Sequence, residues 1–330
     1  NRAMEAGIIV SVAAGNDGPD NDGLSGMGSS DLSLTVGATD DLNTVNREDD
    51  TIAGYSSRGP RADNGDGNPL NELKPEISAP GSNIIQAEGC VTSGLCNNLL
   101  GGDAADNGYT GRGSGTSYAT PSVSGIMALM LEANPDLSPA EIKEIIKFTA
   151  ERRGEATQPN VDPFWNRDFG WGMADAYEAT KMAFLLKEQN LTGAVDVFTQ
   201  IHITNSSVNE RNGLYVIEGM AWSQASVVSA VEYRVGDGAW QSAAFNETSE
   251  QLAALERFTW SIGLDLRSLE NGNQTIEIRG LNDAGVQSLP VSVTVMGSGD
   301  TSSMSEGFNL ALSLGGVVVI FMLLDTLLNT

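Results

Sequence analysis

The pattern of apolar and polar positions divides the chain into four stretches. Residues 1–189 interleave short apolar runs with helix-period stripes, as expected of an α/β domain built on a parallel sheet. Gly7-Ile-Ile-Val-Ser-Val-Ala-Ala is apolar enough for a strand buried on both faces, and residues 32–38 repeat that character. Residues 118–133 have helical spacing but are apolar or small all round, which predicts a buried central helix. Ser138-Pro139-Ala140-Glu141 has the form of a capping box with proline at the first helical position, and Ile142, Ile145 and Ile146 form the stripe behind it. A third helix is expected over 175–187, with long polar loops at 61–74 and 88–109.

Between residues 194 and 296 the period changes to two. Strand candidates fall at 195–204, 213–222, 227–235, 239–245, 256–262, 273–281 and 287–296, with turns such as Gly236-Asp237-Gly238 between them. Seven short strands over roughly 100 residues predict a two-sheet sandwich of immunoglobulin-like type. Residues 297–307 read as a Gly/Ser/Asp linker. The run at 308–328 is almost continuously apolar, and as a helix it would be about 31 Å long, near the hydrocarbon thickness of a bilayer. One transmembrane helix, and membrane attachment through it, are therefore expected at the C-terminal end.

Composition narrows the function classes. The 330 residues carry 43 acidic against 18 basic side chains, a net charge of −25, which excludes an electrostatic nucleic-acid binder. One histidine and two cysteines exclude any site needing a pair of histidines or a multi-cysteine cluster. Cys90 and Cys96 predict a local disulfide pinning the second long loop, the alternative being two separate thiols. Asp17, Asp20 and Asp22, with Asp63 and Asp66, are candidate ligands for a structural calcium ion, although their spacing matches no defined calcium loop. No organic cofactor is implied. The chain opens at Asn1 in mid-element and is expected to be a piece of a longer protein.

The motif richest in chemistry is Gly113-Ser-Gly-Thr-Ser117-Tyr-Ala-Thr-Pro121. It sets a serine just after a glycine turn at the start of a helix, where free N–H groups and the helix dipole favour a developing negative charge. Gly115 removes a side chain from the approach to that serine. Alone, a serine there is an ordinary cap. Three further motifs accompany it in order: Ala13-Ala-Gly-Asn16-Asp-Gly, Tyr55-Ser-Ser-Arg-Gly-Pro60 and Lys74-Pro-Glu-Ile-Ser-Ala-Pro-Gly81. This ordered set resembles the subtilisin-like serine proteases, the subtilases or peptidase S8 family, over residues 1 to about 185.

The resemblance implies that Ser117 is the nucleophile and that the Asn16 side-chain amide and the Ser117 N–H bind the oxyanion. Ala13, Ala14, Gly15, Gly115 and Thr116 would line the substrate pocket. In that family the triad runs Asp, then His, then Ser. Here the lone His202 follows the serine and alternates with Ile201 and Ile203, which places it on the outer face of a sandwich strand. The triad Asp and His are thus absent, and an incomplete catalytic domain, inactive by itself, is expected. The expectation as a whole is part of a membrane-anchored serine endopeptidase acting on protein or peptide substrates at the cell surface. The rival readings are a non-catalytic surface adhesion protein carrying a degenerate protease domain, and an esterase using the same nucleophile.

Overall fold

The computed structural model describes residues 1–20, 23–85, 113–209, 214–224, 226–245 and 257–299, and the backbone at 309–314 and 317–322. Two compact units emerge, Asn1–Lys187 and Glu188–Thr330.

In the first unit a short helix α1 (Arg2–Glu5) precedes strand β1 (Ser11–Ala13), which pairs in parallel with β2 (Leu34–Asp40). β2 also pairs in parallel with β4 (Ile77–Pro80) and, near its end, antiparallel with the two-residue β3 (Thr51–Ile52). Leu34, Thr35, Val36, Ala38 and Thr39 are fully buried, as a strand covered on both faces requires. β1 is shorter than its apolar run. The Gly7 and Ile8 N–H groups bond back to Met4 and Ala3, which spends that backbone on closing the helical turn and leaves Ile8 exposed.

Three longer helices follow: α2 (Thr116–Ala133), α3 (Pro139–Thr149) and α4 (Ala176–Glu188). α2 packs through Ala119, Val123, Ile126, Met127 and Met130, but Ser122, Gly125, Ala128 and Leu129 on its other face are exposed. The expectation of burial all round therefore fails. Serine, glycine and alanine gain little from burial, so they are compatible with a core without demanding one. Pro121 lies in the second turn of α2, so the Ser117 carbonyl forgoes its helical partner. The capping box of α3 forms as predicted, with Glu141 N–H donating to Ser138 Oγ at 3.3 Å and Ser138 N–H donating to Glu141 Oε2 at 2.8 Å.

The Lys74-Pro-Glu-Ile motif joins β4 to its neighbours through a buried charge cluster. Glu76 takes the Thr35 N–H at 2.8 Å, the Lys143 ammonium at 2.8 Å, and Lys74. Burial alone would raise the Glu76 pKa, but Lys143 and Lys74 more than offset it and hold the carboxyl below its ordinary range.

In the second unit the strands are β5 (Thr199–Val208), β6 (Tyr215–Ser223), β7 (Val228–Val235), β8 (Gln241–Ser242), β9 (Ala244–Phe245), β10 (Phe258–Leu264), β11 (Gly272–Asn282) and β12 (Val291–Gly297). They form two antiparallel sheets, ordered β5-β6-β10-β9 and β12-β11-β7-β8. Alternate residues of both sheets, including Ile201, Ile217, Val231, Trp260, Ile276 and Val293, build one apolar core. The run predicted at 239–245 splits into β8 and β9, one in each sheet. His202 lies half-exposed and stacks on Trp222, ring centroids 5.1 Å apart.

The apolar tail is described in two segments. At 309–314 and 317–322 the backbone is extended, as β13 (Asn309–Leu314) and β14 (Val317–Met322), paired antiparallel, with β13 bridged to β12. Over those two segments of the run expected as a helix at 308–328 the backbone is not helical. Val317-Val-Val-Ile is β-branched, which favours extended backbone. The rest of that run, and the linker beyond Gly299, lie outside the described residues. Among the described residues no helix is long and apolar enough to cross a membrane.

Candidate active site

The loop leaving β1 and the turn entering α2 meet although they are a hundred positions apart. Asn16 Oδ1 accepts the Thr116 backbone N–H at 2.8 Å and the Thr116 hydroxyl at 2.9 Å. Those two donors decide the orientation of the carboxamide, since only its oxygen can accept them. The amide nitrogen, Nδ2, is thereby aimed at Gly115 and the residues beside it, with no partner among the described residues. A methyl group at Gly115 would sit 3.2 Å from Nδ2 and 3.7 Å from the Ser117 nitrogen, so carboxamide, glycine and serine N–H border one small space. Gly115 has φ +152°, a conformation that residues with a side chain rarely adopt, and a Cβ there would also crowd Asn16 Nδ2.

Ser117 is the second residue of α2 and is exposed, so its hydroxyl is open to solvent and its N–H is one of the helix donors without an intrahelical acceptor. No acidic residue occupies the first turn, which leaves the positive end of the helix dipole uncompensated at the serine. Thr116, fully buried, also takes the Gly15 N–H at 3.2 Å. Asn16 is exposed, Ala13 and Gly15 are partly exposed, and Ala14 is fully buried. The Ala14 carbonyl is spent on the Ser25 N–H at 2.8 Å, and the Ser25 hydroxyl donates to the Ala13 carbonyl at 2.9 Å. Ser25 was invisible in the sequence because nothing in its own surroundings marks it.

The Tyr55-Ser-Ser motif is the other part that sequence reasoning left without a role. It lies against both halves of the site: Gly18 N–H donates to the Tyr55 carbonyl at 2.8 Å, Ser57 N–H to the Gly15 carbonyl at 3.0 Å, and Gly115 N–H to the Tyr55 hydroxyl at 3.1 Å.

The remaining candidates are not gathered at the site. Asp17 and Asp20 are exposed and Asp22 lies outside the described residues. Among the described residues no group of three or more His, Cys, Asp or Glu side chains is placed to hold a metal ion, so the calcium expectation finds no ligand set there. Cys90 and Cys96, with the loop they were expected to pin, lie outside the described residues.

Comparison with known proteins follows the same residues. The family model described as the subtilase family matches residues 1–172, a span that includes Asn16 and Ser117. Serine protease AprX of Bacillus subtilis is 44% identical over 159 residues, which are 48% of this chain and 34% of AprX. Subtilisin-like protease SBT3.7 of Arabidopsis thaliana is 38% identical over 142 residues, 39% of this chain and 15% of that protein. The chain thus spans about a third or less of the length of these relatives. Among solved structures, the protease from Pseudoalteromonas arctica covers 56% of this chain and 45% of its own, at 26% identity and a TM-score of 0.37. Because the family match extends over more than half of the residues and holds both sides of the Asn16–Thr116 junction, the chain belongs to the subtilase family.

Proposed function

We propose that this chain supplies the nucleophile and the oxyanion-binding half of a serine endopeptidase. The observation that carries this reading is the pair of bonds from Thr116 to Asn16 Oδ1, which occupies the carboxamide oxygen beside the serine turn and leaves the N–H as the end that can donate. In the reaction, Ser117 Oγ attacks the peptide carbonyl carbon and its proton passes to a general base. The carbonyl oxygen becomes an oxyanion held by Asn16 Nδ2–H and Ser117 N–H. Expulsion of the protonated amine leaves an acyl-serine, which water then hydrolyses.

The base is assigned to sequence beyond these residues. His202 is the one histidine in the chain, and it sits on a strand of the second unit, stacked on Trp222. The 330 residues alone are accordingly expected to be inactive. Protein or peptide substrates, met outside the cell, are the expectation that goes with the family. The second unit is read as an immunoglobulin-like module, supported by sheets that group its first, second, fifth and sixth strands against its third, fourth, seventh and eighth, and it would act as a spacer or substrate-docking element.

A fluorophosphonate probe applied to the full-length protein tests the nucleophile. Labelling and peptide hydrolysis should both vanish in Ser117→Ala, and peptide substrates should be cleaved by the unsubstituted protein. Labelling that survives the substitution, or hydrolysis confined to esters, contradicts the assignment.

A further inference from the structure

The loop at residues 55–57 touches the backbone on both sides of the site, beside Asn16 and just before Ser117. On the Asn16 side it makes three bonds: Gly18 N–H to Tyr55 O at 2.8 Å, Asp17 N–H to Ser57 Oγ at 3.2 Å, and Ser57 N–H to Gly15 O at 3.0 Å. These grip the residues immediately before and after Asn16. On the Ser117 side the Tyr55 hydroxyl takes the Gly115 N–H at 3.1 Å and donates to the Gly81 carbonyl at 2.7 Å, with Ser82 Oγ 3.1 Å away. Gly115 N–H also reaches the Gly81 carbonyl at 2.9 Å, so the turn before the serine is held against the end of β4 and the tyrosine caps the junction.

The fit around these contacts is close. A side chain at Gly15 would lie 2.7 Å from Ser57 Oγ, and one at Gly81 would lie 2.9 Å from the Gly115 carbonyl oxygen. Ser56 and Ser57 are fully buried. Two loops that are a hundred positions apart thus share one short segment as a common support.

We infer that Tyr55 and Ser57 are positioning residues that set the separation between the Asn16 amide and the Ser117 N–H, so that both donors point at the same oxyanion. This inference rests on the protease reading above. Neither side chain is placed to touch the reacting atoms, so both act through the donors they hold. Removing the Tyr55 hydroxyl leaves Gly115 its bond to Gly81 and the fold its core, but frees the turn to drift. Because a misplacement of about 1 Å can cost 10²-fold in rate, a partial drift should cost about 10-fold.

The test uses the full-length protein with Tyr55→Phe, Asn16→Ala and the double variant, reading kcat and KM on one peptide substrate together with Tm. Tyr55→Phe should lower kcat about 10-fold with KM nearly unchanged, and should cost less than about twofold in the Asn16→Ala background, where one donor it positions is already gone. Ser57→Ala should show the same dependence on Asn16, which keeps the question open to test if Tyr55→Phe folds poorly. Equal losses in both backgrounds, or a lowered Tm with kcat intact, would overturn the positioning role. The protease reading fails separately, if Ser117→Ala keeps its hydrolysis.

Discussion

The two units place their polar groups differently. In the first, the interior holds Ser56, Ser57, Lys74, Glu76, Thr116, Asn134, Glu144 and Lys147, many of them tied to backbone from distant parts of the chain. In the second, fewer polar side chains are buried among the described residues (Thr199, Gln200, Ser223, Asn282 and Ser288, none of them charged), and the ion pairs Arg234–Glu277 and Arg279–Glu232 lie partly exposed with Trp240 packed against both arginines. A buried polar group costs free energy unless every bond is made, so a unit built with many of them gains geometric specificity rather than stability. The first unit has loops to aim.

The comparison sharpens where one member of a polar network is removed. Glu76→Gln leaves Lys74 and Lys143 facing a neutral partner, and the loss of one side of a buried ion cluster should destabilise the first unit by about 3–5 kcal/mol near neutral pH. The pH dependence has a definite sign. The Glu76 pKa is depressed in the folded state, so its contribution is present above its unfolded value of 4.5 and fades as pH falls through and below that value. Denaturant titrations should therefore find the gap between variant and parent narrowing in acid. A gap that stays constant from pH 7 to pH 3 would show that the charge is not the reason.

The apolar counterpart is Trp260→Ala, at a side chain only 1% exposed between the sheets. Its cavity should cost about 3–5 kcal/mol in the unfolding of the second unit, with the proposed peptidase kcat of the full-length protein unchanged. A fall in kcat would mean that the sandwich does more than hold or dock. Asn16→Ala reverses the balance: loss of the acceptor for the buried Thr116 N–H should cost about 1–3 kcal/mol, while kcat should fall by roughly 10² to 10³, the loss that removing such a donor causes in subtilisin itself. A drop below tenfold would take the carboxamide out of the oxyanion site.

Legibility in the sequence tracked the distance over which each feature is decided. The capping box at Ser138 and the alternation of β10 and β11 are local, and both formed where the pattern placed them. The serine turn and the Asn16 loop were legible through their ordered motifs, but not the bonds between them. Asn16 and Thr116 are separated by 100 positions, and Tyr55 and Gly115 by 60, so no window of sequence contains either pair. The open face of α2 and the strands at 309–314 and 317–322 came out differently because small residues do not report burial, and because a long apolar run with β-branched residues serves strand and helix alike.

The central claim is that the hydroxyl of Ser117, its own N–H and the Asn16 amide converge on one reacting group. A crystal structure of the full-length protein carrying a fluorophosphonate adduct tests it most directly. The account predicts phosphorus bonded to Ser117 Oγ and one phosphoryl oxygen about 2.7–3.1 Å from both Asn16 Nδ2 and the Ser117 nitrogen. An adduct on another residue, or a phosphoryl oxygen turned away from Asn16, would contradict it.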